Sequence, residues 1–436
     1  MPDNKTAHLP DVIPLAMMTV LRSVALDGAT SRAEISRLTG LARSTVGQQV
    51  EVLLGCGLLT EEIMDSSVRG RPPHVLAVST TAGTIAVADV EVNAVRLAVT
   101  DLSGTLILRS ALTVDLARGP EAILGDLASE WRDMLSRSGH DPDGIRQIVV
   151  GLPAPVDYQR GCAVRPPGMP GWDSFPVGSF LSQEFNVPVF VDNDANLAAL
   201  GETARGKDTE KPLLAVRISS GIGAGLVTAN GEVHRGADGA AGDIGHIRVP
   251  GYEEVLCSCG KRGCLEAVAS CTAVLADLEL TGGNDPEAGV KQLVHLLATG
   301  DAKTLSRVRD AGAVVGEIMA TLVHVYNPRT LVLSGPMTEA CDDLLSEVRS
   351  VVYRQALPLA TRKLVITATR LEQTAGLIGG VVLAVREVFS DKGMESLITS
   401  VATSRKSPPP LQFPPVGSGD NNRQPGTAQL PAADWR

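Results

Sequence analysis

One histidine and three cysteines, spaced H-x10-C-x-C-x4-C between His246 and Cys264, are the residues of this chain whose types and spacing could do metal chemistry. Zinc takes four nitrogen or sulfur ligands in a tetrahedron, and His246, Cys257, Cys259 and Cys264 supply the full set, leaving no position for water. A closed site of that kind is structural, not catalytic. The competing reading is a scatter of buried cysteines. Three of the chain's seven cysteines fall between 257 and 264, together with the turn-forming Gly260 and Gly263, and that clustering favours zinc. Glu266 follows two residues after Cys264, so a metal-fixed loop would present its carboxylate rigidly.

The elements that must position this loop belong to a chain of 436 residues, long enough for two or three cores. Hydrophobic residues make up 44% and charged residues 20%, the balance of an ordinary globular protein. No apolar run is long enough to span a bilayer, and the N-terminus shows no basic stretch followed by an apolar one. Seven cysteines, an odd number, then point to reduced thiols and a cytoplasmic protein. The net charge of −10 excludes a surface that attracts nucleic acid all over, but not one small DNA-reading module.

The first 78 residues have the pattern of such a module, an α+β winged helix-turn-helix. Ile13 to Leu26 reads as an apolar helix with Pro14 in its opening turn. Ser31-Arg-Ala-Glu34 matches a capping box, Ile35 and Leu38 are expected to face inward, and Gly40 ends the short helix. Arg43 to Leu54 repeats the helical period and stops at Gly55-Cys-Gly57. Two helices around a tight turn are the helix-turn-helix geometry. Arg43, Ser44, Thr45, Gln48 and Gln49 fall on the outward positions of the second helix and are base- and phosphate-contacting types. Leu58 to Met64 and His74 to Val78 read as strands of a wing whose tip carries Arg69 and Arg71. A plain helical packing module is the alternative; the acids Glu34, Glu51, Glu61, Glu62 and Asp65 balance the arginines, so the basic residues must be sorted onto one face.

From Thr84 the period changes. Strand pairs, a helix from Pro120 to Leu135, a strand at Gln147 to Gly151, and a second round from Leu213 give an α/β pattern with two similar halves, ending in long helices from Asp301 to Tyr326. From residue 396 to 436 the chain is expected to be a disordered tail, with its Pro-Pro-Pro-Leu-Gln-Phe-Pro-Pro run at 408–415.

The cysteine-rich loop resembles the zinc loop of the ROK family of repressors, open reading frames and sugar kinases. The likeness runs from Gly83 to about Val388 through Gly151-Leu-Pro-Ala-Pro-Val-Asp, Pro170-Gly-Trp, Val191-Asp-Asn-Asp-Ala-Asn, Ser220-Gly-Ile-Gly-Ala-Gly, Asn327-Pro, Leu331-Val-Leu-Ser-Gly and Thr374-Ala-Gly-Leu-Ile-Gly. Each segment alone is weak; together, in the family's order, they are specific. The resemblance implies a two-lobed sugar-kinase-type domain of the actin-like ATPase (ribonuclease H-like) fold over 79–395, with a cleft between its lobes.

In kinases of this family an Asn-Asp pair holds the sugar and the Asp takes a hydroxyl proton, which assigns sugar contact to Asn193 and Asp194. A strand-to-helix Asx turn is the other use of that dipeptide. The resemblance adds Asp243, His246 and Glu266 to the effector site, with two departures. Asp243 stands where the family usually has Glu, and Gly168 where it commonly has Asn, so the resemblance leaves the identity of the sugar open. A third departure concerns ATP. The family's kinases open on an Asp-x-Gly-Gly-Thr turn, whereas here the segment is Asp89-Val-Glu-Val-Asn-Ala-Val-Arg96. Both glycines are gone, and Glu91 puts a negative charge where phosphates would sit, although Ser219 to Gly225 keeps a second glycine turn. The expected protein is therefore a transcriptional regulator, a homodimer or homotetramer on a double-stranded DNA operator, controlled by a sugar or sugar derivative, with structural Zn2+ and no catalysis. A zinc-containing sugar kinase with an N-terminal extension, and an inert zinc-stabilised scaffold, are the competing readings.

Overall fold

A computed structural model describes residues 13–63, 74–204, 209–280 and 286–404. The chain divides into two units, one built from the described residues up to Ala82 together with those from Arg386, and the other from Gly83–Val385.

In the first unit, helices α1 (Leu15–Ala25), α2 (Arg32–Thr39) and α3 (Arg43–Gly55) precede an antiparallel pair, β1 (Leu59–Ile63) and β2 (His74–Val78). Pro14, expected in the opening turn of α1, is instead its N-cap residue. The Ser31 side chain caps α2 by accepting from Glu34 N, while Glu34 Oε2 accepts from Thr30 N at 2.9 Å. Gly40 ends α2 in the left-handed region at φ 72°, where a Cβ would be strained. Two expected orientations need correction. Leu38 is 54% exposed: it sits about 60° round the helix from Ile35, and an eight-residue helix meets its neighbours along one narrow stripe. Gln49 is buried, 8% exposed, because it shares the face of Val46, Val50 and Leu53. Arg43, Ser44 and Gln48 are exposed and Thr45 is half-buried. The wing-tip residues Arg69 and Arg71 lie outside the described residues.

Among its described residues the second unit holds two larger sheets and one two-stranded hairpin. The first contains β3 (Thr84–Val90), β4 (Ala94–Asp101), β5 (Leu106–Thr113), β6 (Ile145–Leu152) and, beyond the short hairpin β7 (Val156–Asp157)–β8 (Cys162–Ala163), β9 (Val189–Asn193). Its order is β5-β4-β3-β6-β9. The second contains β10 (Leu213–Ile218), β11 (Ile222–Val227), β12 (Thr330–Ser334) and β13 (Val365–Ala368), in the order β11-β10-β12-β13. Each sheet begins with an antiparallel hairpin whose first strand then pairs in parallel with a later strand, itself followed by another parallel strand. That repeat is the two-halved pattern of the sequence and the signature of the actin-like ATPase fold.

The helices of this unit are α4 (Pro120–Arg137), α5 (Val177–Phe185), α6 (Asp194–Thr203), α7 (Leu265–Ala269), α8 (Cys271–Asp277), α9 (Pro286–Thr299), α10 (Ala302–Tyr326), α11 (Pro336–Ala340), α12 (Asp343–Gln355), α13 (Pro358–Thr361) and α14 (Ala375–Val388), the last running three residues past the unit's end. Apolar side chains of α4, among them Ile123, Leu127 and Trp131, cover the first sheet, and those of α10 and α12 cover the second. Helix α6 leaves the end of β9 and packs on β10 and β11, so it links the lobes. Its approach is close: a Cβ at Gly225 would overlap the Ala195 carbonyl oxygen, and one at Gly379 that of Leu197.

A final helix, α15 (Asp391–Ser404), belongs to the first unit. The tail expected from residue 396 is therefore helical through Ser404: Met394, Leu397, Ile398 and Val401 are buried at helical spacing, and Arg22 of α1 reaches Asp391 at 2.5 Å and the Phe389 carbonyl at 3.2 Å. The proline-rich stretch that follows lies outside the described residues.

Candidate functional site

The four candidate metal ligands converge. The ligand atoms of His246, Cys257, Cys259 and Cys264 all lie within 4.8 Å of one another, although the four residues are spread over a long loop. His246 Nδ1 is 3.7 Å from Cys257 Sγ, and Cys259 Sγ is 3.7 Å from Cys264 Sγ. A tetrahedral ion with bonds of about 2.3 Å to sulfur has sulfur–sulfur edges of about 3.8 Å, so the set has the size of a zinc tetrahedron. The same separations are far too long for a disulfide. Short bridges, Arg248 with Cys264 and Leu256 with Arg262, and a turn closed by Gly260 N to the Cys257 carbonyl at 2.9 Å hold the loop.

This loop forms one wall of a cavity of about 480 Å³. Asn193, Asp194, Asp243, His246 and Glu266, all five of the effector residues expected from sequence, line it. Gly242, at φ 99°, lets the chain lie on β11, where its carbonyl accepts from Ala224 N at 2.9 Å; that contact brings Asp243 and His246 to the wall. Glu266, in the first turn of α7, accepts from Ile222 N at 3.3 Å and from the Ser258 hydroxyl at 3.4 Å. A side chain at Gly221 would collide with the Glu266 carboxylate. Gly168 also lines it, with φ 71° and open space where a side chain would go, so the departure from Asn leaves that space unfilled.

The Asn-Asp pair divides its work. Asn193 caps α6: its Oδ1 accepts from Ala195 N at 2.9 Å and Asn196 N at 3.3 Å, and its Nδ2 donates to the Ala154 carbonyl at 2.9 Å. The turn chemistry weighed for this dipeptide is thus present in Asn193. Asp194 accepts from Ala195 N at 2.8 Å through Oδ1, while Oδ2 lies 3.9 Å from Arg217. Burial pushes the Asp194 carboxyl up, with Arg217 opposing. Behind the pair, Asp192 is a buried hub: it accepts from Asn193 N at 2.8 Å, Asn196 Nδ2 at 2.9 Å and Arg235 at 2.6 Å, and the Arg235 guanidinium lies 3.9 Å over the Tyr158 ring.

The phosphate side differs from the sequence expectation. Glu91 does not present a free negative charge, because Arg217 of β10 and Arg96 of β4 both pair with its Oε1, Arg96 at 2.5 Å. Burial alone would raise the Glu91 carboxyl, but the two guanidinium groups hold it below the usual range. Arg217 stands 4.0 Å from Asp89, which is fully buried without a hydrogen-bond partner and is pushed up to about 7 by burial. Arg217, Arg96, Asp192 and Arg235 were not singled out by sequence reasoning. Only Arg217 left a signal, a charged residue interrupting the apolar run Leu213-Leu-Ala-Val-Arg-Ile.

Two lobes of repeated topology, a polar cavity at the end of β9 and a cysteine-rich wall define a protein of the sugar-kinase-like actin fold. The ROK family model matches residues 86–387, and the chain belongs to the ROK family. It is 28% identical to the xylose repressor of Bacillus spizizenii over 83% of this chain and 92% of that one. It is 32% identical to a glucokinase of Halalkalibacterium halodurans over 71% of this chain and 97% of the enzyme. Among solved structures, a ROK family transcriptional regulator described as a homologue of the E. coli Mlc protein superimposes with a TM-score of 0.71, covering 89% of this chain and 98% of that one at 22% identity. No described helix is long and apolar enough to cross a membrane.

Proposed function

We propose that this protein is a DNA-binding transcriptional regulator, a repressor of carbohydrate-related genes, whose effector is a sugar or sugar derivative bound in the Asp194 cavity. The observation that carries the reading is the helix-turn-helix in the first unit, with Arg43, Ser44 and Gln48 exposed at the start of α3 and Thr45 beside them. Gln49, buried on the inner face, drops out of the DNA-contacting set. Arg69 and Arg71 remain candidates for phosphate or minor-groove contact from the wing. The relative named as a repressor is matched over 83% of this chain, the glucokinase over 71%, in keeping with an added DNA-binding unit. Against an enzyme stands the phosphate side of the cleft, which lacks the glycines of the kinase turn and is filled by the Arg217–Glu91–Arg96 cluster.

Within this reading Zn2+ sits on His246, Cys257, Cys259 and Cys264 and supplies rigidity alone. Asp194 and Glu266 accept hydroxyl protons of the effector in hydrogen bonds, Asp243 reaches from the loop before His246, and Asn193 orients Asp194 by fixing the start of α6. Binding shifts the equilibrium between lobe arrangements and, in a homodimer or homotetramer, the spacing of DNA-reading heads on a symmetric operator.

The test pairs thermal melts against a panel of pentoses, hexoses and their phosphates with retention of genomic DNA fragments and an assay for ADP formed from MgATP. A sugar that raises the melting temperature and alters DNA retention, with no ADP formed, is the expected result. Asp194→Ala should weaken that sugar about tenfold or more while retaining DNA, since a charged hydrogen bond contributes about 1.5–3 kcal/mol. Sugar-dependent ADP formation, lost in Asp194→Ala, would instead establish the kinase reading, and neither sugar nor DNA binding would leave only the scaffold.

A further inference from the structure

We infer that Glu91 is the built-in occupant of an anion site formed by Arg96 and Arg217, and that this internal carboxylate fastens the first sheet to the second where a bound phosphate would otherwise do so. The site is composed from both lobes. Glu91 follows the end of β3, Arg96 lies on β4 of the same sheet, and Arg217 reaches across from β10 of the second sheet. Both guanidinium groups converge on one oxygen, Glu91 Oε1. Arg96 continues the chain of contacts by donating to Gln373 Oε1 at 2.5 Å, just before α14. Guanidinium groups approaching a single oxyanion from two sides are the arrangement by which proteins grip phosphoryl oxygens.

The cluster sits between the two turns that the family resemblance assigns to nucleotide phosphates, Asp89 to Arg96 and Ser219 to Gly225. Glu91 is held firmly there: its N–H donates to the Ala94 carbonyl at 2.7 Å, closing the turn. The first N–H groups of α6 are taken by Asn193 and Asp194, and the remaining charged neighbours of Arg217, Asp89 at 4.0 Å and Asp194 at 3.9 Å, are acidic. The wild-type cleft therefore rejects phosphate twice over, by occupying its two cations and by surrounding them with carboxylates. The lobes are bridged without a nucleotide. This inference uses the kinase-like descent of the cleft but not its assignment to DNA or sugar.

Inorganic pyrophosphate is the probe, read by calorimetry and by its effect on the melting temperature, a ligand of the folded state raising it in proportion to occupancy. Wild type should show no binding. Glu91→Ala, and Glu91→Gln, which keeps the side chain's shape without its charge, should leave both guanidinium groups without an ionised occupant and bind pyrophosphate at least about tenfold more tightly than wild type. Adding Arg217→Gln to either variant should abolish the gain. Circular dichroism identical to wild type qualifies a variant for the comparison, and Glu91→Gln serves if Glu91→Ala does not fold. Pyrophosphate binding by the wild-type protein, or a folded Glu91 variant that gains none, overturns the inference. Neither result depends on an effector or an operator, so failure here is separable from failure of the regulatory reading.

Discussion

Asp89 is the residue of this cleft whose burial and charge conflict most directly. It is fully buried, neither of its carboxylate oxygens has a hydrogen-bond partner, and its nearest cation, Arg217, is 4.0 Å away and paired with Glu91. Burial raises its carboxyl from 3.8 to about 7. The folded protein thus binds the proton more tightly than the unfolded chain, folding takes up a proton between those two values, and stability falls as pH rises through that window. Ionised Asp89 is a destabilising element above about pH 7. Asp89→Asn should therefore melt about 2–4 °C or more above wild type at pH 8, a difference that shrinks toward pH 5. Melting curves across that range check it, and a constant offset at every pH would mean that shape, not charge, sets the effect of the residue.

At the scale of elements, the loop from Gly242 to Glu266 supplies one wall of the cavity. It contains no strand and one turn of 3-10 helix, Ile244–His246, and is fixed from within by scattered backbone hydrogen bonds such as Val249 N to the Gly263 carbonyl at 2.7 Å and Leu265 N to the Ile247 carbonyl at 2.9 Å. Its order comes from contact with β11, from isolated bridges and from the four converging ligands. Metal binding in such a loop is folding free energy for that loop. Cys259→Ser keeps the size of the side chain but removes a thiolate ligand. It should lower the metal content of purified protein from about one zinc per chain and weaken the sugar response through the loosened Glu266, without touching the helix-turn-helix. Elemental analysis beside the melting assay decides this: full metal in the variant, or no metal in wild type, would assign the cysteines a purely packing role. The helix-turn-helix shows the opposite economy. Its short helices are set by a side-chain cap at Ser31 and a left-handed glycine at Gly40, both local, and its packing adds only the choice of face.

At the scale of the whole molecule, the two units are not consecutive in sequence. The chain leaves the helix-turn-helix at Ala82, builds the two-lobed unit, and returns with α15 to complete the first. Both ends of the cleft-bearing unit thus continue along the chain into the first unit, the one proposed to read DNA. Met394, Leu397, Ile398 and Val401 of α15 are buried, each contributing about 1.5–3 kcal/mol when fully removed from water. Truncation after Ser390 should therefore lower the melting transition of the first unit by about 5 °C or more and abolish DNA retention, while the sugar-dependent shift of the cleft persists. An unchanged first transition with intact DNA binding would reduce α15 to an ornament of the surface.

The sequence alone determined whatever rests on local spacing or on order along the chain. The clustered His246, Cys257, Cys259 and Cys264, the helix-turn-helix boundaries near Ser31, Gly40 and Arg43, the repeated strand pattern from Thr84, and the absence of glycine from the Asp89 turn are of this kind. Only the tertiary structure decided what depends on partners far apart in sequence. Gln49 looked outward because its residue type suits DNA, but the helical face it shares with Val46 and Leu53 is buried. The segment from 396 to 404 borders a proline-rich stretch in sequence, yet α1 lends α15 a partner from the other end of the chain. Glu91 read as a charge that repels phosphate; it is an ion-pair partner, since Arg217 stands 126 residues away and no local rule connects them. Charge and burial are properties of a neighbourhood, and folding alone assembles the neighbourhood.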